Sequence, residues 1–533
     1  MGSPFARQKA GQIKSLRADV FRVMAELLPT NWIHSALRFF CLVAVTTAAL
    51  AGEIPPLRVR VSVAPELRSA FIEGGRIILY LTRQVNKEPR NGFDIVLGVN
   101  PKNWPATGEF ILDSRNQDVI TAGTISEFLS APEPFTYQVL YKQQWDDGQE
   151  NVPGNLFSEV GTTRYSTNAT WSLTLKKKIP PYEIIPHPFV KSVVIQSKCL
   201  TEFSGRPRFL RASVLLPASY FENADKSYPV CYRVPGLNGR YDGINGVLGN
   251  QQFSNWWFSS KSPQIVYVCL DSQGPYGDTY QMDSANNGPC GKALTEELIP
   301  EIERQVHYRP DSRKRFLAGA STGGWVVLGL QIFYPDFFDG AWAYSPDPVE
   351  FEHYGLIDIY HDESAFISRY GYLQPESRTI YGDMKWTMKE CIEEENVFGT
   401  SNNYLTSGGQ FGAYNAVFGP KGKDGLPSLM FDPITGKIDH HVAAQWEKYD
   451  LKKVLAQNWA TLGPKLQGKI WIWTGDMDGL LSNVATRFFK AFLDKTENPK
   501  SDAKISFTPM AGHCQEWNEQ TVVEMVAAKA AGR

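Results

Sequence analysis

The sequence predicts a chain in two parts: a small all-β sandwich, then a larger α/β domain on a mostly parallel sheet flanked by helices. Three observations carry this expectation. Up to about residue 178, short apolar runs alternate with polar residues at a period of two and are separated by turn-rich stretches. From residue 179 to 189 the chain is proline-rich, as a stiff linker would be. Beyond it, strand-like apolar runs alternate with helical segments, the pattern of parallel strands joined by helical crossovers.

The elements follow in order. Residues 1–51 are expected to be an N-terminal extension with a signal peptide. The apolar run 39–50 is too short to span a bilayer, follows Arg38, and ends in the small-x-small sequence Ala49-Leu50-Ala51. Met24 is a candidate start, and the mature protein is expected to be secreted or periplasmic, with no stable membrane span. Residues 52–178 are expected to form the sandwich, of immunoglobulin-like or E-set-like type. Leu57, Val59, Val61 and Val63 alternate cleanly, and further short strands are expected at 77–82, 110–112, 138–141 and 171–175. Trp104, Trp145 and Trp171 read as core or interdomain packing, with a sugar-stacking platform as the other reading. Residues 190–533 form the α/β domain, with an insertion at about 347–468 rich in Gly, Asn, Tyr and Trp.

Composition excludes other classes. The 54 Lys and Arg residues are balanced by 56 Asp and Glu, with no long basic run, so a nucleic-acid partner is not expected. Seven cysteines contain no CxxC pair, which gives a zinc or thioredoxin-like site no support, and no metal or organic cofactor is called for. Cys231 and Cys269 lie in strand-like runs and read as buried thiols. Any disulfide pairing is open. Asn168-Ala169-Thr170 is a glycosylation sequon.

The sharpest chemical signal is Gly319-Ala320-Ser321-Thr322-Gly323, with a short apolar strand before it and a helical pattern after it. A serine at a sharp strand-to-helix turn projects its hydroxyl above the sheet, and small neighbours two residues away on each side prevent clashes there. Serine needs a base. Of eight histidines only His513 follows the final strand, in Gly512-His513, from where a loop can carry it over the serine. The orienting carboxylate is expected after the preceding strand, where Gly475-Asp476-Met477-Asp478 offers two. Asp478, three residues past the glycine, is favoured, with Asp476 as the alternative. Acyl chemistry also needs oxyanion donors. One is the Thr322 N–H after the nucleophile. The second is assigned to Leu237 N–H in Pro235-Gly236-Leu237-Asn238, with Asn238 next and also a substrate-binding candidate. Trp342 and Asp347 are further candidates for substrate binding, Asp347 equally for capping a turn. Trp325 reads more as helix–sheet packing.

These motifs, with Glu296-Glu297-Leu-Ile-Pro300 and Ser345-Pro-Asp347-Pro, resemble the putative-esterase family of α/β hydrolases. That family includes esterase D, enterochelin esterases, feruloyl and acetylxylan esterases, and mycolyltransferases. The resemblance runs from about residue 190 to the C-terminus, and a sandwich ahead of it is similar to the enterochelin-esterase-like branch. It implies the α/β-hydrolase fold, with Ser321, Asp478 and His513 matching the triad. The family often has His-Gly at the oxyanion loop where this chain has Pro235-Gly236, so the likeness carries the triad and not the second donor.

The expected function is that of a serine carboxylesterase acting through an acyl-enzyme on a small-molecule or carbohydrate ester, such as an acylated sugar, a phenolic ester or a siderophore-type ester. An acyltransferase with an alcohol acceptor and a non-catalytic binding protein of the same fold are the alternatives.

Overall fold

The computed structural model describes residues 57–84, 86–167, 169–222, 226–306 and 314–532. The expected signal peptide and the sequon residue Asn168 lie outside them.

The first strand-rich region contributes β1 (Arg58–Val63), β2 (Arg76–Thr82), β3 (Ile95–Val99), β4 (Glu109–Asp113), β5 (Ile120–Ala122), β6 (Phe135–Lys142), β7 (Leu156–Ser158), β8 (Gly161–Thr163) and β9 (Thr170–Lys178). They form one sheet in the order β4-β1-β9-β7-β6-β2-β3-β5, with β8 also on β6. The short β7 bonds to both β6 and β9, so hydrogen bonding runs continuously between the two halves. Those halves share a core: Val59 and Val61 of β1 and Leu173 of β9 pack with Leu79, Leu97 and Val139. Trp104 and Trp171 belong to that core. Strand β2 is buried at every residue, because its second face is covered too. This explains why its sequence is continuously apolar rather than alternating.

The second sheet has eight strands. They are β10 (Val190–Ser197), β11 (Arg208–Leu215), β12 (Val230–Val234), β13 (Val266–Leu270), β14 (Arg315–Ala320), β15 (Gly340–Tyr344), β18 (Ile470–Gly475) and β19 (Lys504–Thr508). Their order is β10-β11-β13-β12-β14-β15-β18-β19. The first two pairings are antiparallel and the rest parallel. Helices cover both faces. On one, α1 (Gln251–Trp257) and α7 (Glu519–Ala530) pack on Cys231, Phe316 and Trp342. On the other, α2 (Thr322–Phe333), α5 (Leu451–Leu466) and α6 (Ser482–Leu493) pack on Tyr232, Leu317 and Ala341. Alternate residues of each strand go to opposite cores, as the pleat requires. This is the α/β-hydrolase fold.

Between β15 and β18 the chain forms a hairpin of β16 (Pro375–Arg378) and β17 (Met384–Thr387), then α3 (Met388–Phe398) and α4 (Gln410–Phe418). Helix α3 begins with a full capping box, Thr387 with Glu390. Its Val397 and Phe398 cover the outer face of the nine-stranded sheet against Ile78, Tyr80 and Val96. Two buried cations rivet this junction. Arg76 donates to Val397 O at 2.6 Å and Asn402 Oδ1 at 3.0 Å. Lys142 Nζ donates to Thr406 O at 3.2 Å and Ser407 O at 3.0 Å. The six cysteines from Cys199 onward are all free thiols. No helix among the described residues is long and apolar enough to cross a membrane.

Candidate functional site

The strand β14 ends at Ala320, and Ser321 has φ 58° and ψ −126° before α2 begins. This left-handed region is strained for a side-chain-bearing residue. The neighbouring glycines make the turn possible. A Cβ on Gly319 would lie 2.3 Å from Gly323 O, and one on Gly323 would lie 2.3 Å from Val234 O. Only hydrogen fits at either position. Ser321 N–H donates to Tyr344 O at 2.9 Å, which ties the turn to the end of β15.

The parallel strands β18 and β19 bring Asp478 and His513 to the same edge. Asp478 follows β18 and is fully buried. His513 Nδ1 lies 3.0 Å from Asp478 Oδ1 and 2.9 Å from Oδ2. Asp476 turns away and pairs with Arg487. Of the two candidate acids, the structure therefore brings Asp478 to the histidine. The histidine loop is held by Cys514 N–H on Ser345 Oγ at 3.0 Å and Met477 N–H on Ala511 O at 3.0 Å. Burial alone would lower the His513 pKa, but the bonds to Asp478 and the adjacent Cys514 outweigh it and push it up to about 10. His513 Nε2 is buried with no protein hydrogen-bond partner among the described residues. It makes no hydrogen bond to Ser321 Oγ; contacts of this kind often tighten only when substrate binds.

The loop after β12 lies beside the serine: a Cβ on Gly236 would be 3.6 Å from Ser321 Cβ. Leu237 and Asn238 line a cleft of about 670 Å³ together with His513. The N–H groups of Leu237 and Thr322 have no protein acceptor among the described residues, as expected for a helix N-terminus in the case of Thr322. Thr322 Oγ1 donates to Asp347 Oδ2 at 3.0 Å, and Tyr280 OH donates to the same oxygen at 2.5 Å. Burial raises the Asp347 pKa, and those donors oppose the rise. Asp347 thus braces the residue after Ser321 from below.

Trp342 does not reach the cleft. It is 1% exposed and stacks on Trp471 with centroids 4.4 Å apart. Its place in the strand turns it to the face covered by α7. Trp325 is likewise core.

Three groups escaped the sequence reading. Arg378, at the end of β16, clamps the acid loop: its Nε donates to Asp478 O at 3.0 Å and its guanidinium to Asp476 O at 3.2 Å. Gln410, at the start of α4, reaches Tyr280 OH at 2.6 Å and accepts from Thr322 Oγ1 at 3.3 Å. A wall of carboxylates, Glu150, Glu376, Glu394 and Glu395, lines the cleft. Burial and mutual repulsion push Glu394 up to about 7. Glu395 is pushed up to about 7 by burial, although it accepts the N–H groups of Phe411 and Gly412 at the start of α4. Arg378 and Gln410 carry no local sequence signal, since their partners lie far away in the chain.

Residues 207–521, more than half of the chain, match the family model described as Putative esterase. No curated protein matches the chain. Among solved structures it is similar to a ferulic acid esterase, with 14% identity, a TM-score of 0.40, and coverage of 64% of this chain and 97% of that one. It is also similar to an S-formylglutathione hydrolase from Agrobacterium tumefaciens, with 13% identity, a TM-score of 0.35 and coverage of 65% and 95%. A third is the fluorophosphonate-binding serine hydrolase F of Staphylococcus aureus, with 14% identity, a TM-score of 0.37 and coverage of 64% and 98%.

Proposed function

The chain belongs to the putative esterase family and is a carboxylic ester hydrolase; from that premise we propose that Ser321, His513 and Asp478 carry the reaction through an acyl-enzyme. Ser321 Oγ attacks the ester carbonyl carbon while His513 Nε2 takes its proton. Asp478 holds the imidazole tautomer with Nδ1–H inward and stabilises the imidazolium, without taking the proton itself. The N–H groups of Thr322 and Leu237 receive the developing oxyanion. The C–O bond to the alcohol breaks, and His513 returns the proton to the leaving oxygen. Water, deprotonated by the same histidine, then attacks the acyl-enzyme and releases the acid and Ser321.

One observation carries this reading. His513 is bonded through Nδ1 to both oxygens of a buried carboxylate while its Nε2 has no protein partner among the described residues. Buried polar atoms are mostly paired, and an open imidazole nitrogen opposite a carboxylate-bonded one is the arrangement a general base needs.

The cleft supports a polyhydroxylated alcohol part, because Glu150, Glu376 and Glu394 offer acceptors and Trp386 and Phe411 offer flat apolar surface. Acylated sugars and phenolic esters of sugars fit that chemistry. Export of the mature chain remains part of the proposal.

The test is labelling by a fluorophosphonate probe, with Ser321→Ala and His513→Ala alongside. The wild type should label and both variants should not. Unchanged labelling of Ser321→Ala would overturn the assignment. Hydrolysis of acetylated sugars, feruloyl esters and short aryl esters then ranks the substrates.

A further inference from the structure

The cleft has a wall built by the other sheet. Loop 143–155, between β6 and β7, leaves the nine-stranded sheet and lies on the loops of the eight-stranded one. Gly148 N–H donates to Gly274 O at 2.8 Å. A Cβ on Gly148 would fall 2.4 Å from Gly277 N, so backbone rests directly on backbone. Asp147 pairs with the buried Arg240 at 2.5 Å. The buried Lys142 donates to Gly148 O as well as to the insertion. The loop is therefore fixed from three sides.

From this rigid base Gln149 reaches the loop after β12. Its Nε2 donates to Asn238 Oδ1, and to Gln273 Oε1 at 3.3 Å. Asn238 has φ 66°, and Gly236 and Gly239 flank the Leu237-Asn238 pair. Within this turn Gly239 N–H bonds to Gly236 O at 2.9 Å. That bond closes the turn on itself but does not orient it. Between two glycines, the side chain of Asn238 is the handle by which the turn can be held.

We infer that Gln149 is a positioning residue for the oxyanion loop, so that the nine-stranded sheet completes the catalytic site of its neighbour. The inference rests on the reading of Leu237 N–H as an oxyanion donor. Gln149 acts through Asn238: with the handle held, the Leu237 N–H stays aimed at the point where charge develops. With the handle free, the donor samples orientations that miss it. Misplacement of a catalytic group by about 1 Å costs on the order of 100-fold in rate.

The experiment is steady-state hydrolysis of p-nitrophenyl acetate by the full chain and by Gln149→Ala, Asn238→Gly, the double variant and Ser321→Ala. Glycine keeps the left-handed backbone at 238 and removes only the handle. Both single variants should lose roughly 10- to 100-fold in kcat with little change in KM. The double variant should lose no more than the worse single one, because both changes cut one connection. Unfolding midpoints should stay at the wild-type value for Asn238→Gly. Wild-type kcat in Gln149→Ala, or losses that multiply in the double variant, would overturn the positioning role while Ser321-dependent turnover leaves the esterase reading intact. Turnover that survives Ser321→Ala would instead sink the esterase reading, and the positioning role with it.

Discussion

The edge of the eight-stranded sheet and the junction between the nine-stranded sheet and the insertion use buried polar groups in opposite ways. At the edge of the eight-stranded sheet, Asp478 is buried and satisfied, but His513 Nε2 and the N–H groups of Leu237 and Thr322 are left without protein partners among the described residues. Backbone strain gathers there too, at Ser321 with φ 58° and at Met510 and Cys514 on either side of the histidine. On the nine-stranded sheet the two buried cations that meet the insertion spend their donors instead. Arg76 spends its donors on Val397 O, Asn100 and Asn402, and Lys142 spends three on backbone carbonyls. Unspent hydrogen-bonding capacity and strain together mark a site where chemistry is done. Fully spent capacity marks a joint.

That contrast is open to direct attack. The largest effect should come from His513→Ala, with a loss of kcat on the order of 10⁶, the size known for the serine-protease triad, and a lowered unfolding midpoint at neutral pH because the buried Asp478 loses its partner. A large stability loss with retained turnover would place His513 among the joints. Next, Asp478→Asn should lower kcat by about 10⁴. The pH profile follows. His513 must be neutral to accept a proton, and its pKa is pushed up to about 10. Thus kcat/KM should climb about tenfold per pH unit from neutrality toward that value. Stability runs the other way. Because the folded pKa lies above the unfolded value of about 6.5, the stabilisation from the His513–Asp478 pair is complete below about pH 6.5. It is lost as pH rises to about 10. A rate profile that levels off by pH 7 would break this account.

Arg76→Met tests the joint. It should destabilise the fold by about 1–3 kcal/mol for each acceptor left unsatisfied, read from a urea midpoint, with kcat per folded molecule unchanged. A kcat loss without a midpoint shift would erase the distinction between the edge and the junction. The smallest effect should be at Asp476→Asn, within about 0.5 kcal/mol in either stability or activation free energy. Its side chain pairs with Arg487 at the surface rather than with His513.

Much of this was legible in the chain because it is local. Gly-x-Ser-x-Gly needs its glycines for contacts within one strand-to-helix turn, so the motif and the geometry at Ser321 are the same fact. The alternation in β1 and the apolar strands of the eight-stranded sheet are equally local, set by the two-residue pleat. The order of serine, acid and histidine along the sequence also carries through to the sheet edge. Trp342 shows where local reasoning stops. Its strand ends at the cleft, but the pleat sends its ring to the opposite core against Trp471, and only the register of β15 with β18 decides that.

The sequence by itself determined the two strand-rich regions, the strained serine and the histidine that follows the last strand. These depend on neighbours a few residues away, whose types and spacing are written in order. Only the tertiary structure decided between Asp476 and Asp478, set Asp347 against Thr322, and brought Arg378 to the Asp478 loop and Gln149 to the Asn238 loop. Gln149 and Asn238 are 89 residues apart, and Arg378 and Asp478 are 100 apart. No periodicity links such positions, because packing between separately formed elements creates the contact.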